Sequence, residues 1–155
     1  MTFKTIANQN DQAEIVERIK NLQYLRKPRF STMSSSQILP HLTDPMRVAL
    51  GEKSAKKGSV MYWIFSWSII RWAAIWFLPW PPVPAQPEFI PGKGGTLPNG
   101  FNQDKQVLID YIKRMADLGP SAKLRDHPVF GDISIAQWQR LMWRHIDYHL
   151  KRFED

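Results

Sequence analysis

The chain has 155 residues, a formal net charge of +7 at neutral pH and no cysteine. This length suits one domain with a sizeable core, so we expect residues 1–155 to form a single domain. A hydrophobic content of 43% argues against disorder, and the absence of cysteine excludes disulfides, thiolate metal ligands and a cysteine nucleophile. The N-terminal stretch lacks the apolar core of a secretory signal, which predicts a cytoplasmic protein.

The positive charge is densest in residues 18–30 and 52–58. Neither stretch has the spacing of a DNA-reading motif, and basic flanks of helices are usually solvated. Because positive charge alone mainly sets solubility and non-specific association, we expect no specific nucleic-acid partner.

Helical periodicity is the main structural signal, and no alternating strand pattern of useful length occurs. Four main helices are predicted, so we expect an all-α protein. The first covers residues 9–26, where the apolar residues at helical spacing are Ile15, Ile19, Leu22 and Leu25.

The second predicted helix begins at a capping box formed by Ser34 and Gln37, and it ends before Gly51, which suits a C-terminal cap. Pro40 and Pro45 lie inside this helix. Each proline removes a backbone donor and crowds the preceding turn, so we expect the two prolines to bend or reset the helix.

Two unusual pieces follow. The apolar, tryptophan-rich segment 61–78 has a length near the lower limit for a bilayer span, but Arg71, Ser66 and Ser68 make it too polar. We expect no transmembrane span but a helix packed into the bundle or a subunit interface, with peripheral membrane contact as the alternative. The connector 79–100 contains seven prolines and four glycines, which predicts an ordered wrap over the surface.

The third main helix is predicted at residues 102–118, where Gly119 and Pro120 stop it. The last helix begins at Ser134, where Gln137 completes a second capping box, and it extends to about residue 153.

His145 and His149 lie four residues apart on this last helix, about 40° apart on a helical wheel. The apolar residues on either side of them are Ile135, Trp138, Leu141, Met142, Ile146 and Phe153. The residues predicted on the flanks are Gln139, Arg140, Trp143, Arg144, Asp147 and Lys151. Both imidazoles therefore point into the buried stripe, where an unpaired polar ring is costly.

Two histidines at this spacing can bind one metal ion, but the same pattern also fits core histidines bonded to carbonyl groups or water. A third imidazole, His41, lies on the second predicted helix, and facing helices of a bundle can build a shared site. Three neutral imidazoles suit Zn²⁺, Ni²⁺ or Fe²⁺ and leave positions for water or substrate.

Three further polar residues lie near these histidines in the sequence. Asp44 can orient a metal-binding imidazole or bind the metal ion directly. The alternative is an exposed carboxylate that precedes a proline turn. Asp44 and Tyr148 are the candidates for a general base, although packing at the edge of the stripe also explains Tyr148. His127 precedes the last helix, and we expect it to make a structural bond within its turn rather than bind metal.

The C-terminal residues 127–153 read HPVFGDISIAQWQRLMWRHIDYHLKRF. This stretch resembles the C-terminal signature of one branch of the DinB/YfiT-like superfamily, a branch whose activity is not settled. Residues 31–51, STMSSSQILPHLTDPMRVALG, resemble its second helix, with the lone histidine at the matching place. Residues 84–91, PAQPEFIP, are similar to its proline-rich connector. The resemblance covers about residues 30–153.

The resemblance implies an up-down-down-up four-helix bundle, here with an extra apolar helix and a long proline-rich connector, and a metal held by His41, His145 and His149. Relatives include transferases that join low-molecular-weight thiols, such as bacillithiol or mycothiol, to other small molecules. Without cysteine in this chain, a thiolate must arrive on a cosubstrate, and hydrolysis with water as the nucleophile needs the same ligands.

We therefore expect a metal-dependent thiol transferase or hydrolase that acts on a small-molecule substrate. Two other interpretations stay open. In one, the chain is a non-catalytic module whose basic surface and tryptophan segment bind a membrane surface, nucleic acid or protein partner. In the other, exposed tryptophans form the face of a homodimer.

Overall fold

The computed structural model describes residues 2–30, 32–65, 67–80 and 84–154, without the side chains of 59–61. Its six α-helices, in chain order, are α1 (Gln9–Asn21), α2 (Ser35–Ala49), α3 (Ser59–Phe65), α4 (Ser68–Trp76), α5 (Phe101–Ala116) and α6 (Ile135–Leu150). No β-strand occurs in the described residues, which confirms the prediction of an all-α fold.

The four longest helices, α1, α2, α5 and α6, enclose the core, and they correspond to the four predicted main helices. Both α5 and α6 contact α1 and α2, and α4 packs against α6. The core side chains that these helices bury completely include Ile15, Ile19, Ile38, Leu39, Leu42, Met46, Leu108, Ile112, Met115, Trp138 and Ile146. α5 lies within two residues of its predicted bounds at both ends.

α1 and α6 end earlier than predicted. α1 stops at Asn21 because Leu22 leaves the helical conformation, with a ψ of 126°. Leu25 then adopts a φ of 65° and is exposed. A residue with positive φ cannot continue a right-handed helix, so its helical spacing in the sequence is misleading. α6 stops at Leu150, and Phe153 reaches the core from the following turn.

α2 begins at the predicted capping box, in which Ser34 and Gln37 exchange side chain-to-backbone hydrogen bonds of 3.0 and 3.2 Å. Gly51 follows its end with a φ of 78°. The helix runs without a break through Pro40 and Pro45, so the prolines do not reset it. Twelve of its fifteen residues are buried, and this packing outweighs the hydrogen bonds that the two prolines remove.

Segment 61–78 does not form the single helix that was predicted, and packing at a subunit interface stays a prediction. The segment is divided between α3 and α4, with the extended residue Trp67 before α4, while Ser66 lies outside the described residues. Only Ala74 and Ile75 of α4 are buried. The exposed apolar residues, which we call the tryptophan face, are Trp63, Ile64, Trp67, Ile69, Ile70, Trp72, Phe77 and Leu78. Among the described residues, no helix combines the length and apolar character needed to cross a bilayer.

Two arginines of α6 hold the C-terminal end of α4. Arg144 donates hydrogen bonds to the carbonyl oxygens of Ala74 and Leu78, and Arg140 donates to the carbonyl oxygen of Trp76. The last carbonyl groups of a helix lack partners within the helix, and cationic side chains stabilise that end. This contact fixes the chain where it leaves α4 for the connector.

α6 is buried on more than its apolar stripe. Gln139 and Trp143, predicted on the flanks, are both buried. The Gln139 amide donates to the carbonyl oxygen of Met115 at 3.0 Å, and the Trp143 indole donates to that of Asp11 at 3.1 Å. α5 and α1 therefore cover these flanks, and backbone carbonyl groups satisfy the polar groups of both residues.

The connector lies against α2. Among its described residues, which exclude 81–83, the short 3-10 helix Pro87–Phe89 is the one regular element. Its prolines lack a backbone N–H and its glycines favour no regular conformation, which disfavours longer regular structure. The Phe89 carbonyl and the backbone and side chain of Thr96 bond to α2.

Candidate metal centre

The structure brings together the three histidines that the sequence singles out. His41 lies on α2, and His145 and His149 lie on successive turns of α6. One ring nitrogen from each residue forms a group whose members all lie within 4.8 Å of one another. His41 and His149 are buried and His145 is half-buried, so the group is largely shielded from solvent.

The spacing of these nitrogens fits a first-row divalent ion. The Nε2 atoms of His41 and His149 are 3.2 Å apart. Two nitrogens that each lie about 2.0–2.1 Å from a tetrahedral ion are separated by about 3.3 Å. The same distance also fits a hydrogen bond between two neutral rings, so a measurement of bound metal is needed to distinguish these states.

The connector orients the imidazole of His41. Its Nδ1 lies 2.7 Å from the backbone carbonyl oxygen of Phe89. Because a carbonyl oxygen only accepts, we assign the ring proton to Nδ1, which leaves the lone pair of Nε2 directed at the other histidines. Such a contact is typical of a metal-binding histidine. Sequence reasoning missed Phe89 because a backbone carbonyl can come from any residue type.

Burial keeps the three imidazoles neutral. Burial lowers the pKa of His41, and burial together with the neighbouring imidazoles holds the pKa of His145 well below 6.5. Burial, and then the charges of His41 and Arg152, lower the pKa of His149 to about 2. Since the neutral ring is the form that binds metal, these residues can act as ligands at neutral pH without first losing a proton.

Two aromatic rings lie beside the histidines. The Trp80 ring centroid is 6.2 Å from that of His145, and the Tyr148 centroid is 5.2 Å from that of His149. The indole of Trp80 donates to the carbonyl oxygen of Ala74 at 3.0 Å, and the Arg144 guanidinium lies over its ring. The docking of α4 on α6 therefore places an apolar wall next to the candidate centre.

Asp44 anchors the connector to α2. Its side chain is fully buried, so the interpretation as an exposed carboxylate is wrong. It accepts hydrogen bonds from the backbone and hydroxyl of Thr96 at 2.9 and 2.6 Å, and from Arg47 at 2.9 Å. The ring nitrogen of His41 is bonded to Phe89 instead, although the Asp44 charge acts to raise the pKa of His41. Catalytic roles for Asp44 and for Tyr148 stay predictions.

His127 makes the local bonds predicted for it. Its Nδ1 accepts from the backbone N–H groups of Val129 and Phe130 at 3.0 and 3.1 Å. The ring also packs against Trp138. It lies outside the group of three histidines, so its function in the described structure is to close the turn before α6.

Comparison with known proteins assigns the chain to a family. A family model described as "Protein of unknown function (DUF1569)" matches residues 5–155, a range that includes all six helices and all three clustered histidines. No curated protein and no solved structure matches the chain. On the extent of the family match, the chain belongs to the DUF1569 family.

Proposed function

We propose that the chain is a divalent-metal-dependent enzyme in which His41, His145 and His149 bind Zn²⁺, Ni²⁺ or Fe²⁺. The convergence of three ring nitrogens within 4.8 Å, from two contacting helices, is the observation that supports this proposal most strongly. Three protein ligands leave positions for water or substrate, as in catalytic sites, whereas structural zinc sites usually have four protein ligands.

We further propose that the family is a branch of the DinB-like superfamily. In this proposal residues 1–155 form a single domain, and α1, α2, α5 and α6 form an up-down-down-up four-helix bundle. Two observations support it: each of these four helices contacts two of the others, and the histidines lie on the helices where the superfamily pattern places them.

The proposed reaction transfers a low-molecular-weight thiol to a small-molecule substrate, or hydrolyses that substrate. When bound, a divalent ion lowers the pKa of a thiol or water and so supplies a nucleophile at neutral pH. Phe89 holds His41 in the tautomer suited to binding, and Trp80 shields one side of the centre from water. Tyr148 is the stronger of the two general-base candidates, because three hydrogen bonds already occupy the carboxylate of Asp44.

Elemental analysis of freshly purified, untagged protein tests this function. We expect about one divalent ion per chain in the wild type and none in a His145→Ala/His149→Ala double variant. The matched control is His127→Asn, which changes a histidine outside the cluster and is expected to keep the metal. A double variant that retains its metal overturns the proposal.

The tryptophan face favours a second candidate function, a non-catalytic module that binds a membrane surface, nucleic acid or a protein, including a second copy of the chain. Trp63, Trp67 and Ile69 are 75%, 72% and 81% exposed, which is unusual for large apolar residues. This function predicts salt-dependent co-sedimentation with anionic vesicles or DNA, or a dimer in analytical ultracentrifugation, with no loss in the double histidine variant.

A further inference from the structure

Arg152 is a cation next to the three histidines. It follows α6, where its backbone N–H donates to the carbonyl oxygen of His149 at 3.2 Å. Its guanidinium carbon lies over the ring of Tyr148, 4.3 Å from the ring centroid, and that ring packs against the imidazole of His149. The side chain is half-buried, so its charge is only partly screened by solvent.

No carboxylate within the described part of the chain forms an ion pair with Arg152. The two acidic residues nearest to it in the described sequence have other partners. Asp147 pairs with Arg18 and Lys151, both at 2.8 Å, and Glu154 pairs with Arg18 at 2.6 Å. Among the described residues, the guanidinium of Arg152 therefore has an aromatic neighbour and no counter-ion.

Arg152 lies close to the candidate metal centre, because the Tyr148 ring against which its guanidinium packs is 5.2 Å from the ring of His149, centroid to centroid. Three neutral imidazoles bring no negative charge to a divalent ion, and Asp44 is already paired with Arg47. An ion in this centre and the guanidinium beside it would together form a strongly cationic, partly buried site, which an anionic ligand stabilises.

We propose that the substrate is a small organic carboxylate, bound through its carboxylate group by Arg152. This inference rests on the proposed metal-dependent function. The guanidinium of Arg152 packs over the ring of Tyr148. The N–H groups of a guanidinium match the planar carboxylate in a two-point hydrogen bond. Trp80 and Tyr148, whose ring centroids are 6.2 Å apart, supply apolar contacts for the rest of the molecule.

Isothermal titration of zinc-loaded protein with benzoate tests the proposal, after the zinc content of each sample has been measured. We expect wild-type protein to bind benzoate and Arg152→Gln to bind it at least about tenfold more weakly with unchanged zinc content. Arg152→Lys, which keeps the charge but loses the planar fork, is expected to have intermediate affinity. Lys151→Gln removes the same charge one residue earlier and should bind like the wild type.

The outcomes separate the two proposals. Wild-type protein that cannot be loaded with zinc, nickel or iron contradicts the proposed function, and the carboxylate assignment fails with it. Loaded protein that does not bind benzoate, equal affinity in Arg152→Gln, or an equal loss in Lys151→Gln overturns only the assignment of Arg152. Tighter binding of inorganic phosphate than of benzoate overturns the choice of a carboxylate.

Discussion

At the scale of single residues, His127 illustrates how burial changes the chemistry of a side chain. Burial lowers its pKa to about 3, and its neutral Nδ1 accepts two backbone hydrogen bonds. In the unfolded chain the same ring titrates near pH 6.5. The unfolded state therefore binds a proton that the folded state does not, so stability that is present above pH 6.5 is lost as the pH falls towards 3.

The variant His127→Asn tests this dependence. The side-chain carbonyl of asparagine can accept the same two hydrogen bonds but does not titrate. Between about pH 6 and pH 4, the free energy of unfolding should fall by about 1.4 kcal/mol per pH unit more in the wild type than in the variant. Urea unfolding at several pH values measures both slopes. Parallel curves would show that His127 takes up a proton in the folded state as well.

At the scale of structural elements, the connector is fixed to α2 at two points on either side of its glycine-rich turn. The carbonyl of Phe89 contacts His41, and Thr96 donates two hydrogen bonds to Asp44. A residue on α2 therefore controls how the connector presents its carbonyl to the candidate metal centre. We expect Asp44 to influence the centre through this arrangement, as outer partners of metal ligands commonly do.

We expect Asp44→Ala to lower the free energy of unfolding by about 3 kcal/mol, because the change removes the acceptor of a partly buried N–H of Thr96 and the carboxylate that pairs with Arg47. Zinc affinity should fall about tenfold as Phe89 loses its fixed position. Chemical unfolding and competition with a chelator measure the two effects.

Glu52→Gln is the matched control for that variant, because it removes a carboxylate that pairs with Arg114 at the surface. It should cost less than about 1 kcal/mol and leave the zinc affinity unchanged. If Asp44→Ala is as stable as this control and loses only activity, Asp44 takes part in the reaction and does not anchor the connector.

The ends of the elements differ in how well the sequence predicts them. The starts of α2 and α6 are determined by capping boxes of four adjacent residues, so Ser34 and Ser134 are predicted correctly. The end of α1 depends on the backbone of Leu22 and Leu25, which no short motif specifies. Segment 61–78 is divided into two helices, and α6 contacts α4, of which only Ala74 and Ile75 are buried. Such packing is not specified by a short sequence motif.

At the scale of the whole molecule, helical periodicity predicted the inward direction of His145 and His149. The geometry of facing helices offered His41 as the third ligand, and the family resemblance implied the same three residues. Their meeting in one cluster agrees with that expectation. The contributions of Phe89 and Arg152 were not predicted, because they depend on the path of the connector and on the turn after α6. The apolar composition of the tryptophan face suggested burial, but few neighbouring elements cover it.

X-ray absorption spectroscopy at the edge of the bound metal tests the central claim most directly, since it counts the imidazole ligands of one ion and measures their distances. For zinc we predict three imidazole nitrogens at about 2.0–2.1 Å in the wild type, and two in His41→Ala. Fewer than three imidazoles in the wild type, or an unchanged spectrum in His41→Ala, would contradict a shared site between α2 and α6.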